Sequence, residues 1–231
     1  MINRKTTVIS LMLLMRALGT LPAGDTATFV DLGFSPDGSV YMFGQYGIQE
    51  VFLKPWAEIF AVDVGRNNFT EGGRVSYTHD SAAVNGQDGS GAFFRLLTRN
   101  AALVERHHIN FLARGRLLFV GVLDGIERET IEFRDFQKNV SYHATLITRI
   151  EGSGANLRSS FTIELEQTGA NDTRRTFQVG TPSVKRGRIG SYQIRRVAIA
   201  PGDNALIFVI ETRAQAAHGQ DIRYMVEAIR F

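Results

Sequence analysis

Between Phe29 and Ile229 the chain reads as a succession of short apolar–polar alternations, each cut short by glycine, aspartate or proline. The clearest is Phe161, Ile163 and Leu165 alternating with Thr162, Glu164 and Glu166. A period of two puts alternate side chains on opposite faces of a strand, so one face is buried and the other wet. Similar runs lie at 29–34, 39–43, 58–64, 117–123, 130–136, 142–150, 175–179, 192–199, 205–211 and 222–229. Ser35-Pro36-Asp37-Gly38, Asp124-Gly125 and Gly152-Ser153-Gly154 supply tight turns between them, and 65–73 and 79–92 read as loops. Only 93–112 changes period: Phe93, Leu96, Leu97, Leu103, Val104 and His107 recur at three- and four-residue steps, with Asn100 as a point of breakage and Gly115 as a stop. The pattern predicts a mainly β chain: a single antiparallel β-sandwich or incomplete propeller-like domain with one helical segment near 93–112.

The formal charge of +3 and pI near 9.4 suggest an anionic partner until the first residues are read. Arg4 and Lys5 precede an apolar run from Val8 to Met15, and Ala17 and Gly19 place small residues before a cut after Gly19; a cut after Ala23 also fits. This is the layout of a secretory signal peptide, and the run is too short to span a bilayer, which takes about 20 residues. Cleavage after Gly19 removes three of the 26 basic side chains (Arg4, Lys5, Arg16) and none of the 23 acidic ones, leaving no net charge. The expectation is 1–19 as leader and 20–231 as one domain in the periplasm or outside the cell, with neither nucleic-acid binding nor a transmembrane helix. The absence of cysteine rules out disulfides, thiolate metal sites and cysteine catalysis.

A shift of 165 residues lays Phe29, Leu32, Phe34, Pro36, Tyr41, Met42 and Phe43 on Ile194, Val197, Ile199, Pro201, Leu206, Ile207 and Phe208. Two similar strand–turn–strand units, 29–64 and 194–229, follow from this. The first, with Leu32-Gly33-Phe34-Ser35-Pro36-Asp37-Gly38, Tyr41-Met42-Phe43 and Glu58 to Asp63, resembles a blade of the TolB-type β-propeller, a likeness of the local hairpin and not of function. Together with the leader, Gln45-Tyr46-Gly47 and Ala57 to Phe60, it is also similar to a family of predicted secreted bacterial proteins without assigned activity. That resemblance rests on residues 1–65 and implies export and a bacterial source.

Chemistry is sparse. Adjacent His107 and His108 point about 100° apart on a helix, and Glu105 with His108 makes only half of a carboxylate-bridged metal pattern. Asn85 to Gly91 lacks the alternating carboxylates of a calcium loop, and Gly152-Ser153-Gly154 lacks a dinucleotide fingerprint. His79-Asp80, His143 and His218 are isolated, and no Gly-x-Ser-x-Gly elbow occurs. No catalytic, cofactor or metal residue is assigned; no cofactor is expected. Lone Trp56 reads as a core or loop anchor. The distinctive charge feature is Arg174, Arg175, Lys185, Arg186, Arg188, Arg195 and Arg196, a segment without one acidic residue. Arginine forks suit phosphate and carboxylate groups, so these seven are the candidate contacts to an envelope protein or anionic envelope surface. The bland alternative is neutralisation by Asp124, Glu127, Glu129, Glu132 and Asp135, or simple solvation.

The sequence therefore points to an exported, non-enzymatic binding or scaffold protein of the bacterial envelope. Two alternatives compete. One is an envelope-acting enzyme, for which Glu58 and Asp63 are the only pair to name, although their spacing sets them on opposite strand faces. The other is a small outer-membrane β-barrel, suggested by terminal Phe231 with Ile229, Met225 and Tyr224, and weakened by Glu227.

Overall fold

The computed structural model describes residues 24–122, 126–169, 171–216 and 219–231; the leader and its cleavage sites lie outside them. The described chain forms three antiparallel sheets and two short helices, as the alternation predicts. The first sheet is a meander of β1 (Thr28–Phe34), β2 (Val40–Ile48), β3 (Pro55–Asp63) and β4 (Asn68–Thr78). Next along the chain come α1 (Ser90–Arg99), α2 (Ala101–Arg106) and β5 (Arg116–Val120). The second sheet holds β6 (Thr130–Asp135), β7 (Val140–Glu151) and β8 (Arg158–Thr168), with β9 (Arg174–Val179) and β10 (Arg186–Gly187) both paired to β8. The third contains β11 (Ile189–Ile199), β12 (Ala205–Ala216) and β13 (Gly219–Arg230), in the order β13-β12-β11-β5.

The third sheet is the middle layer. Along β12, Leu206, Phe208 and Ile210 pack with Ile131, Phe133, Phe161, Ile163 and Leu165 of the second sheet. The intervening Ile207 and Val209 pack with Phe34, Tyr41, Phe43, Phe60 and Val62 of the first. A strand covered on both sides has no wet face, which is why Ala205 to Ile210 reads as an unbroken apolar run. The first sheet is itself two-faced. Its other side, Leu32, Val40, Met42, Ile59 and Ala61, is roofed by Ala92, Phe93 and Leu96 of α1 and Leu103 of α2. Gly44 makes this possible, because a Cβ there would lie 2.4 Å from the Phe93 ring. From roof to base the layers are helix, first sheet, third sheet, second sheet.

Two local expectations are corrected. Residues 68–78, read as loop and its flank, form β4. Its first half, with Gly72 and Gly73, carries no alternation and holds its place by pairing with β3; only 74–78 alternates, with Val75 and Tyr77 turned toward the core. The helical segment breaks at Asn100 as its sequence suggests, but ends at Arg106 and not at 112. His108 takes φ +50, and the chain then runs back so that Asn110 pairs with Phe34. Gly33, at φ +94 in a bulge of β1, accommodates that approach: a Cβ would lie 2.4 Å from the Asn110 carbonyl.

Candidate functional site: a charged ledge on the middle sheet

The register of β11 against β12 slips by one residue between Ile194 and Arg196. The extra residue is Arg195, and both arginines reach the side of the sheet that faces β1. Arg195 forks onto Glu211 of β12, with Nε donating to Oε2 at 2.7 Å and Nη2 to Oε1 at 2.9 Å, while Nη1 donates to the Val122 carbonyl at 3.1 Å. Both side chains are buried. Arg213 donates from Nε to Glu211 Oε1 at 2.9 Å and lies 3.7 Å from Glu127. The Tyr224 hydroxyl donates to Glu211 Oε2 at 3.4 Å. Burial pushes the Glu211 carboxyl up, but the hydrogen bonds and charges of Arg195 and Arg213 outweigh it and hold the group below the usual carboxylate range. Burial, reinforced by the Glu211 charge, raises the Tyr224 phenol.

Arg196 behaves differently. It is exposed, its guanidinium sits 5.5 Å above the Phe29 ring of β1, and it stands opposite Val120 of β5. Among the described residues it makes no ion pair. Nearby on β1, Asp31 is half-buried and its carboxyl is raised by burial, against the Gly33 N–H, the Tyr41 hydroxyl and the charges of Arg114 and Arg196. The fully buried Tyr41 phenol is raised well above its ordinary value, first by burial and then by Asp31. Gln45 ties the two layers together: its amide donates to Glu58 Oε2 at 2.8 Å, and its carbonyl accepts the Tyr224 N–H at 2.7 Å. The result is a ledge with a locked ionic floor and, at its lip, the exposed Arg196, which makes no ion pair among the described residues.

The basic segment identified from sequence does not converge as a whole. Only Arg195 and Arg196 reach the ledge. Arg174 and Arg175 lie on exposed β9, the former 3.7 Å from Glu166. Lys185 is 2.7 Å from Glu151. Arg186 sits 3.4 Å from Glu227 and 5.0 Å above the Phe161 ring. Arg188 adopts φ +64, and its N–H bonds the Leu157 carbonyl. Of the acidic stretch, Glu127 meets Arg213, Glu132 meets His143 at 3.3 Å and Asp135 is held by Arg116, so these three pair outside the basic segment; Asp124 lies outside the described residues. Sequence reasoning missed Arg213, Arg114, Asp31 and Glu211. The readable signal was the Glu211-Thr212-Arg213 interruption of an apolar run.

The other candidates stay apart. Glu58 and Asp63 face opposite sides of β3; Glu58 meets Gln45 and Arg74, while Asp63 accepts the Arg66 N–H. His107 keeps a buried Nε2 without a partner, and its pKa is lowered by burial and by Arg106. No group of three or more histidine, aspartate or glutamate side chains among the described residues is arranged to hold a metal. Asp88 accepts the Ser90 N–H at the start of α1, which gives the glycine-rich segment before it a local role. His143 borders an open concavity of about 630 Å³ on the outer face of the second sheet, with Glu164, Glu166 and Thr176; His218 lies outside the described residues. Met225 and Ile229 point into the core beneath the second sheet, and the described strands form three sheets with open edges, not the closed barrel that the terminal residues Phe231, Ile229, Met225 and Tyr224 had suggested. No helix among the described residues is long and apolar enough to cross a membrane.

A family model described as Predicted secreted protein (DUF2259) matches residues 42–230. The chain belongs to this family. The match runs from within β2 through β13, and so takes in both long strands that build the ledge, β11 and β12. Membership of a secreted family agrees with the leader read at the N-terminus. No curated protein matches the chain, and no solved structure does. What this DUF2259 protein does must therefore be argued from its own side chains.

Proposed function

We propose that this DUF2259 protein is a non-enzymatic binding or scaffold protein of the bacterial envelope, exported to the periplasm and contacting its partner through the ledge. The observation that carries this reading is the contrast at the β11 bulge. Arg195 is consumed by Glu211, whereas its neighbour Arg196 is exposed beside Phe29 and Val120. A buried bidentate pair fixes the backbone, and an adjacent unpaired guanidinium on an aromatic ring is held in place for a carboxylate or phosphate. Apolar surface beside it supplies the remaining contact area that specific association uses. The charged groups of the floor are spent on each other, which suits a rigid contact surface better than proton transfer.

Fractionation of cells tests this directly. Release of the protein from envelopes by salt, and loss of that association in Arg196→Glu, is the expected result. Retention through carbonate extraction with heat-modifiable gel migration would replace it with an integral barrel. Turnover of an envelope substrate, abolished by one side-chain change, would replace it with an enzyme.

A further inference from the structure

We propose that the open edge of β1 takes up an extended acidic segment of a partner protein as an added strand, laid over β5 and paired with Arg196. This rests on the binding reading above and names the partner's chemistry.

β1 and β5 are both edge strands, of the first and third sheets respectively. The outer edge of β1 is closed at its two ends only. At the start, Ala27 N–H bonds the Ile222 carbonyl; at the end, Phe34 N–H bonds the Ala113 carbonyl. Because outward-pointing groups recur every second residue, the outward direction at Ala27 passes to Phe29 and Asp31. Among the described residues neither has a further backbone partner on that side. An unpaired stretch between two closed ends is a template for a short added strand.

The ground beside that edge suits such a strand. Val120 and Leu117 of β5 pair with Arg196 and Ala198 of β11, so all four share the face toward β1. That face is not covered: Leu117 is 53% and Val120 56% exposed. Arg196 links the strip to the edge through its stacking on Phe29. Arg114, also without an ion pair among the described residues, adds its charge to that of Arg196 at Asp31. Two guanidiniums against one half-buried carboxylate leave the edge positive, which selects a segment carrying glutamate or aspartate. Backbone ladder bonds supply affinity, and the side chains facing the strip supply specificity. The segment is thus an alternating one, with valine-like and acidic residues on the face toward β5.

The probe is a synthetic octapeptide with valine and glutamate on one face and threonine on the other. It is compared with the same peptide N-methylated at alternate residues and with a lysine-for-glutamate version. Fluorescence anisotropy reads binding, and amide exchange by NMR reads the place. The expected result is new protection at the Phe29 and Asp31 amides, about tenfold or greater weakening by N-methylation, and a switch of preference to the lysine peptide in Arg196→Glu. N-methylation leaves the protein untouched, so a folding defect cannot mimic its effect. Equal binding of the N-methylated peptide, or protection on β5 in place of β1, overturns strand addition at this edge. So does a concentration-dependent dimer, or binding to anionic phosphatidylglycerol vesicles, that depends on Arg196 while no peptide binds. If the peptides fail but salt still releases the wild-type protein and Arg196→Glu abolishes its envelope association, strand addition is wrong and the binding reading stands. If both fail, both are wrong.

Discussion

Toward the second sheet, β12 offers Leu206, Phe208 and Ile210, and charge appears on that side only at the margins, in Glu227 on β13 and in the Asp135–Arg116 pair. Toward the first sheet the same strand offers Ile207 and Val209, then Glu211. One strand therefore lines a dry interface with one set of side chains and a partly ionic one with the other. The dry side is where burial accumulates stability at roughly 25 cal/mol per Å² of apolar surface. On the other side a bidentate ion pair repays its desolvation only through complete hydrogen bonding, so its presence says more about position than about stability. The ionic side is also the one that the first sheet leaves incompletely covered.

The comparison can be broken most directly at Phe208, which is fully buried. Phe208→Ala should cost about 4 kcal/mol in urea unfolding, because a large cavity opens in the dry layer. Glu211→Ala should cost about 3 kcal/mol by leaving the buried Arg195 unpaired, whereas Glu211→Leu combined with Arg195→Met should recover most of that loss. A double variant as unstable as the single one would mean that the ionic side does the same job as the dry side. Glu227 gives a sharper, pH-based contrast. Burial raises its carboxyl despite the Asn67 amide and the Arg186 charge. The folded protein therefore holds this proton more tightly than the unfolded chain. The resulting stability is full below the ordinary value of 4.5 and is lost as pH rises through the raised one. Glu227→Gln should flatten that decline above pH 4.5.

Smaller effects lie outside both interfaces. Asp37 accepts from the Ser35 hydroxyl and from the Ser39 N–H and hydroxyl, and these bonds lower its pKa to about 2. Asp37→Ala should cost about 1 kcal/mol at neutral pH. The difference should shrink as pH falls below 3.8 and vanish near 2, since protonation removes the acceptor in the parent as well. Arg196→Glu should leave stability within about 0.5 kcal/mol, as befits an exposed side chain; calorimetry showing a larger loss would make Arg196 a structural residue.

Local alternation is what made the strands legible. Phe161 to Glu166 announces both its conformation and its buried face. Leu206 to Ile210 announces burial but not that two different sheets bury it, because layering depends on contacts between distant segments. β4 was hidden for the opposite reason: its first half, Asn68 to Gly73, carries no pattern to read, and the alternation of Arg74 to Thr78 is too short to reveal the whole strand. The ledge was half visible. Tandem Arg195-Arg196 stands out in any scan of charge, but a one-residue bulge decides that one is locked and the other free. Asp31, Arg114 and Glu211 join them from three other places in the chain. The remaining five basic residues were equally conspicuous in sequence, and the fold scatters them among local carboxylates such as Glu166, Glu151 and Glu227.

The placement of β11, β12 and β13 in the middle layer bears on how such a chain is secreted. These strands, residues 189–230, are synthesised after every other strand they hold together. Until they emerge, Phe34, Tyr41 and Phe43 on one side and Phe161, Ile163 and Leu165 on the other have nothing to close against. Contacts of such long sequence separation form slowly. Two of the three core clusters thus stay unfinished until these strands emerge, so both interfaces of the middle layer are still unmade while the rest of the polypeptide is threaded through a narrow secretion channel. The final hairpin acts as the keystone, setting both halves at once on the far side.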